Sequence, residues 1–180
     1  IMSTHVAELV MIPVSDLSKC LPCQWLFTLK CFLDGTLEKF KARLVVLGCF
    51  QKKADTLATF APTLSWFSIR VLFKIAASGN YKIRTLDVST AFLNADTIEP
   101  EVVYVKMPPG FPQTTRDGRV QVLKLNKALY GLSSAPRAWY IELSSWVTTT
   151  YGLSMSEVEP SFYYMHSDDH DDPLVIAVWT

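Results

Sequence analysis

Asp87 is the residue with the clearest chemical potential in this 180-residue chain. It lies near the end of a strand predicted over Tyr81–Val88, inside the run Thr85-Leu86-Asp87-Val88-Ser89-Thr90-Ala91-Phe92-Leu93-Asn94. A carboxylate fixed on a rigid element can present oxygens to a hard cation such as Mg²⁺, which takes one or two carboxylates together with substrate phosphates. Taken alone, an Asp at a strand end is more often a turn residue or a cap. A second group is the row Lys39, Lys41 and Arg43, which a period of two places on one face of a strand, with Phe40, Ala42 and Leu44 on the other. Three cations on one face can line phosphates; they can also be the wet side of a half-buried hairpin, which is the commoner case. Cys20-x-x-Cys23 resembles half a zinc site, but no second pair follows at a suitable spacing, and His5, His166 and His170 offer no spaced ligand set. Structural thiols are the favoured reading.

These side chains need elements to hold them. Residues 25–47 predict a hairpin, with Asp34-Gly35 as its turn between two β-rich runs. Residues 64–78 predict a helix: Leu64, Phe67, Val71, Leu72 and Ile75 fall near helical spacing, Thr63 or Ser65 can cap its start, and Gly79 can end it. Val102–Met107 and Arg119–Leu125 predict strands, the second opening after the turn Asp117-Gly118. Pro136 suits the first turn of a helix running to about Tyr151, with Trp139, Leu143, Trp146 and Val147 on its apolar side and Gly152 as its stop. Ser161–Met165 and Leu174–Trp179 form an expected antiparallel pair joined by the acidic loop Asp168-Asp169-His170-Asp171-Asp172. Strands and helices interleave without regular βαβ alternation, so the expected class is α+β.

Composition sets the outer bounds. Hydrophobic residues make up 49% of the chain, enough for a core of ordinary size in one domain or two closely packed subdomains. The formal net charge is zero, yet residues 1–86 carry 11 Lys/Arg against 5 Asp/Glu, and residues 87–180 carry 6 against 12. Such a split suggests a polyanion-facing surface on one side and a cation-binding or solvated acidic surface on the other; chance clustering of surface charge is about as good a reading of the counts alone. No run approaches a membrane span, since the most apolar helical stretch, 64–77, is interrupted by Arg70 and Lys74. The N-terminal residues lack a basic region and a cleavage site, so no signal peptide is expected, and both ends have the look of cuts within a longer sequence. No repeat, nucleophile elbow or metal-ligand cluster supports an unrelated hydrolase.

Five blocks then resemble one family. Lys39 to Gln51, KFKARLVVLGCFQ, is similar to the copia-type reverse transcriptase pattern YKARLVARGFxQ. Thr59-Phe60-Ala61-Pro62 resembles its ETFAPV, and Leu86–Asn94 its LDVKTAFLN. Val103–Phe111 is similar to its VYMxQPPGF, and Leu129–Tyr140, LYGLSSAPRAWY, to its LYGLKQAPRAWY. The blocks stand in family order with family-like gaps from about residue 22 to the end, and the ordered set is far more specific than any one block.

The resemblance implies a right-hand polymerase fold: fingers plus an incomplete palm, with an antiparallel sheet packed by helices. It implies a partial reverse transcriptase domain over 1–180, with fingers at about 1–65 and 96–135 and a truncated palm at about 66–95 and 136–180. By the same likeness Asp87 stands at the first metal-binding aspartate and Val88 at a main-chain carbonyl ligand of two Mg²⁺ ions. Phe92 stands at the aromatic that stacks beneath the sugar and excludes a 2′-hydroxyl; without the likeness, core packing is its default role. Lys41 and Arg43 stand at the fingers cations that hold the triphosphate, where Arg offers a planar fork to phosphate oxygens. Tyr130 and Gly131 open the turn whose backbone approaches the base pair before Pro136 launches the palm helix. The implied partners are an RNA or DNA template-primer and deoxynucleoside triphosphates, with no membrane; the implied setting is the cytoplasm, in the virus-like particle of the element.

Two-metal phosphoryl transfer needs carboxylates that hold both ions roughly 3.5–4 Å apart. The family supplies the others from a YVDD turn after an apolar strand. Leu174–Thr180 resembles that strand, and the sequence stops where the two aspartates are expected. The loop acids 168–172 precede the strand and are expected to be a solvated connection rather than ligands. Leu47 replaces a family Arg, Cys49 a Phe and Ser133 a Lys, and the segment with Glu99-Pro100-Glu101 is about two residues longer than usual. The expected function is therefore a fragment of an RNA-directed DNA polymerase, inactive as this chain. The alternative is a degenerate, non-catalytic remnant binding nucleic acid weakly through Lys39, Lys41, Arg43, Lys52 and Lys53, salt-sensitively and without sequence preference.

Overall fold

The computed structural model describes residues 5–51, 59–98, 102–165 and 174–178. Lys52, Lys53, Glu99, Glu101, the loop acids 168–172 and Trp179 lie outside them. The chain is a mixture of helices and antiparallel sheets, divided into two compact units: 1–59 with 91–139, and 60–90 with 140–180.

The first unit is built on β1 (Ala7–Pro13), β2 (Cys23–Cys31), β3 (Leu37–Val46), β4 (Tyr104–Lys106), β5 (Thr115–Arg116) and β6 (Arg119–Leu125). β6 is the central strand: β1 and β4 flank it antiparallel, and β5 folds back on its start through the Asp117-Gly118 turn. Val120, Val122, Leu123 and Leu125 are all buried, the pattern of a strand covered on both faces. β1 pairs with it from Ala7 opposite Leu125 to Pro13 opposite Arg119. That strand is absent from the sequence expectation, because its partner is more than a hundred residues away and no turn signal announces it.

β2 and β3 form the expected hairpin, with Leu26 opposite Arg43, Thr28 opposite Lys41 and Lys30 opposite Lys39. The Asp34 carboxylate closes the tip by accepting the Thr36 N–H at 2.9 Å and the Thr36 hydroxyl at 2.6 Å. Those bonds hold its pKa below the ordinary carboxylate value. Leu44 and Val46 anchor the base of the hairpin in the core, while Phe27, Leu29 and Phe40 farther out are exposed.

In the second unit α1 (Trp66–Ser78) starts at Ser65, whose hydroxyl accepts the Ser68 N–H at 3.0 Å, and ends at Gly79. The predicted apolar face of α1 is largely open: Ala76 is buried, but Phe67 and Ile75 are exposed. α2 (Ala135–Tyr151), whose residues up to Trp139 belong to the first unit and the rest to the second, carries Pro136 in its first turn and stops before Gly152, which takes a positive φ of 66°. Beyond it, β7 (Ser154–Met155), β8 (Phe162–Tyr164) and β9 (Val175–Ala177) make a small antiparallel sheet. Its core joins Val147, Leu153 and Tyr163, with Leu143, Ile176 and Val178 packed around them. Trp146 departs from expectation: it is exposed and meets Tyr151 edge-on at 4.9 Å.

The strand expected over Tyr81–Val88 does not form. The segment is exposed, and Ile83, Leu86 and Val88 present their side chains to solvent. Its alternating apolar residues satisfy local β-propensity, but a strand needs a ladder partner, and none pairs with it among the described residues.

Candidate functional site

Three of the sequence-identified residues meet in the first unit. Ala91–Asn94 form a short 3-10 turn, docked where the Ala128 N–H donates to the Ala95 carbonyl at 2.9 Å and Lys127 pairs with Asp96 at 2.6 Å. The turn presents Phe92 to Tyr130, edge to face, with ring centroids 5.1 Å apart. Tyr130 and Gly131 in turn sit on the end of β3. The Val46 N–H donates to the Tyr130 carbonyl at 2.8 Å, and the Gly48 N–H to the Gly131 carbonyl at 3.1 Å.

Gly131 has a φ of +90°, a region side chains rarely adopt. A Cβ there would strike the Val46 carbonyl oxygen and press on a methyl of Val45. Val45 lies on the same face of β3 as Lys39, Lys41 and Arg43, by the period of two. The turn therefore abuts the base of the cation row, with Arg43 two residues up the strand and Lys41 four. Arg43 and Lys41 are half-buried, and Lys39 is exposed with Glu38 at 3.4 Å.

Lys30 belongs to this face and was missed in the sequence reading. Its position opposite Lys39 adds a fourth cation. Two like charges across a strand pair repel unless an anion or solvent intervenes. Counting back through the register from the Asp34-Gly35 turn is the signal that would have found it. Trp25 and Phe27 lie on the opposite face, stacked at 6.3 Å, and Trp25 donates its indole N–H to the Pro109 carbonyl at 3.1 Å.

Asp87 and Val88 belong to the second unit, on exposed backbone outside any strand. Thr90 just after them has a φ of +53°, a conformation unusual for a β-branched residue. As a donor set for two Mg²⁺ ions, one carboxylate and one carbonyl are incomplete. No group of three or more His, Cys, Asp or Glu able to hold a metal occurs among the described residues. The two-ion centre expected from the sequence thus does not fit the described residues by themselves. Asp87 and Val88 can contribute to a site only alongside further carboxylates.

The cysteine pair has a different character. Cys23 is buried with its sulfur 3.4 Å from the Lys106 carbonyl, and Cys20 is buried with its sulfur 3.7 Å from that of Asp16. Burial pushes both thiols above their ordinary pKa, with nearby Lys106 pulling Cys20 partly back. No helix among the described residues is long and apolar enough to cross a membrane.

Residues 4–180 match the family model described as reverse transcriptase (RNA-dependent DNA polymerase). The chain is 42% identical over 146 residues to the retrovirus-related Pol polyprotein from transposon RE1 of Arabidopsis thaliana, covering 81% of this chain and 10% of that protein. It is 44% identical over 128 residues to the corresponding polyprotein from transposon RE2 of the same plant, covering 71% of this chain and 8% of that protein. With the polyprotein from transposon TNT 1-94 of Nicotiana tabacum it shares 39% identity over 168 residues, covering 87% of this chain and 12% of that protein. The chain thus spans about a tenth of the length of these curated relatives. No solved structure matches it.

Proposed function

Because this chain belongs to the reverse transcriptase family, as part of a copia-type retrotransposon Pol polyprotein, we propose that it holds the incoming nucleotide for RNA-directed DNA synthesis. The observation that carries this reading is the cluster of Phe92, Tyr130 and Gly131 against the base of the hairpin that bears Lys41 and Arg43. Arg43 and Lys41 bind the triphosphate, the guanidinium through paired N–H bonds and the ammonium as a point charge. Phe92 lies under the sugar and leaves no room for a 2′-hydroxyl. Gly131 lets bare backbone come close to the base pair.

In the complete polyprotein the first unit serves as fingers and the second as part of the palm, in a right-hand polymerase fold. Division of the chain near residues 59–60, 90–91 and 139–140 supports that assignment. Asp87, with the Val88 carbonyl, contributes ligands to divalent ions whose remaining carboxylates come from outside the described residues. Reverse transcriptases generally use divalent metal ions, which neutralise charge on the transferring phosphoryl group when bound. The template-primer and deoxynucleoside triphosphates are the partners of that complete enzyme, and the virus-like particle of the element is its setting.

A second reading, a non-catalytic remnant, is favoured by one observation: Leu47 and Ser133 stand where the family pattern carries cations. Primer extension on an RNA template with Mg²⁺ separates the two. The comparison is this chain, the chain joined to the C-terminal continuation of a family member, and its Asp87→Asn variant. Incorporation by the extended form and not by the variant establishes the polymerase reading. An inert extended form that still binds nucleic acid establishes the remnant.

A further inference from the structure

We propose that Gly48 and Gln51 are positioning residues, which seat the Tyr130–Gly131 turn and so set where Tyr130 meets the nucleotide. The inference rests on the nucleotide-holding role of that turn. Gly48 opens a short 3-10 turn over Gly48–Phe50 directly after β3, and Gln51 follows it. From this turn the Gly48 N–H reaches the Gly131 carbonyl at 3.1 Å. The Gln51 side-chain oxygen accepts the Ser133 N–H at 2.8 Å. With the Val46 N–H on the Tyr130 carbonyl at 2.8 Å, three backbone groups between Tyr130 and Ser133 are held by one short segment, Val46 to Gln51, far earlier in the chain.

The fit is reciprocal at the two glycines. A Cβ on Gly48 would collide with the Gly131 carbonyl oxygen, and one on Gly131 with the Val46 carbonyl oxygen. Backbone therefore packs on backbone at van der Waals distance, which only glycine permits on both sides. Such a seam fixes the turn in all directions: two bonds hold its carbonyls, Gln51 holds the amide beyond them, and Phe92 bounds the Tyr130 ring. Removing the Gln51 oxygen leaves the Ser133 N–H without this partner and lets the far shoulder of the turn lift, while the glycine seam keeps the unit folded.

The test uses this chain, dTTP with Mg²⁺ as the probe, and the variants Gln51→Ala and Gln51→Glu. Glu retains an acceptor oxygen at the same reach, so it should hold the Ser133 amide as the parent does, although its added negative charge takes it out of the affinity comparison with a triphosphate. Ala should bind dTTP about tenfold more weakly than the parent, with a thermal midpoint lowered by only about 2–4 °C. Hydrogen exchange at the Ser133 amide should accelerate in Ala and stay slow in Glu. Unchanged dTTP affinity in Gln51→Ala overturns the proposal, and so does Ser133 exchange that stays as slow in Gln51→Ala as in the parent. If the parent chain fails to bind dTTP, the nucleotide-holding reading falls and the positioning role falls with it. Ser133 exchange then reports only whether Gln51 holds the turn, so the two failures are told apart.

Discussion

Phe92 and Tyr130 meet edge to face, with ring planes at 61° and centroids 5.1 Å apart. They come from segments 38 residues apart in sequence, and their contact places Phe92 beside the Tyr130–Gly131 turn. Phe92→Ala removes an aromatic pair worth about 0.5–1.5 kcal/mol beyond its area. It should also lower the preference for dTTP over the ribonucleotide by about tenfold. Binding titrations of both nucleotides check this. An unaltered preference would leave Phe92 as a packing residue only.

Gly131→Ala should be severe for a change of one methyl. It combines a positive φ with a collision against backbone that cannot swing aside. Left-handed strain of about 1–2 kcal/mol and overpacking of about 1–3 kcal/mol add in the same direction. Urea unfolding should show a loss of at least about 2 kcal/mol. A loss below about 0.5 kcal/mol, the range of an ordinary surface change, would mean that the seam against Val46 is loose.

Much of this arrangement was legible in the sequence, for identifiable reasons. Asp34-Gly35 and Asp117-Gly118 declare their turns, so the β2–β3 hairpin and the start of β6 follow from local chemistry. Ser65, Gly79, Pro136 and Gly152 mark helix ends in the same way. Pairing partners are not local. Nothing in Ala7–Pro13 says that it will lie on β6, and nothing in Tyr81–Val88 says that it will go unpaired. The site divides along the same line. Lys41, Arg43 and Gly131 carry signals in their own residue types, whereas the role of Gln51 depends on an amide that only the fold brings to it.

The cation face should act as a set. Lys30→Ala, Lys41→Ala and Arg43→Ala should each weaken binding of a single-stranded oligonucleotide without changing base preference. Each should also reduce the slope of log affinity against log salt by about 0.7, the value for one phosphate contact on a single strand. Fluorescence anisotropy at several salt concentrations measures this. Lys30 is the most informative, because its place opposite Lys39 comes from register alone. If none of the three alters the slope, the row is simply the wet side of the hairpin.

Thiol chemistry should sort the cysteines by environment. Cys31 and Cys49 are exposed, whereas Cys20 and Cys23 are buried with thiols pushed above their ordinary pKa. The thiolate is the reactive form, so iodoacetamide at pH 8 should alkylate Cys31 and Cys49 first, and Cys20 and Cys23 about tenfold or more slowly. Mass spectrometry of timed digests reads the order. Early labelling of Cys23 would mean that its contact with the Lys106 carbonyl opens readily in solution.

Tyr163 should make the second unit sensitive to alkali. Its side chain is buried in the core with Val147 and Leu153, and its hydroxyl lies 2.6 Å from that of Ser144. Burial raises its pKa, against a smaller lowering by the Ser144 bond. The unfolded chain therefore gives up this proton first, at an ordinary tyrosine value of about 10. Stability from the neutral buried phenol is whole below that pH and declines as pH rises from there through the higher folded value. Tyr163→Phe cannot ionise, so the parent should lose urea resistance faster than the variant between pH 9 and 11. At pH 8 the parent should be the more stable of the two, since the variant forgoes the bond to Ser144, worth about 1 kcal/mol. Parallel pH profiles for the two proteins would show that ionisation of this phenol does not drive the alkaline loss.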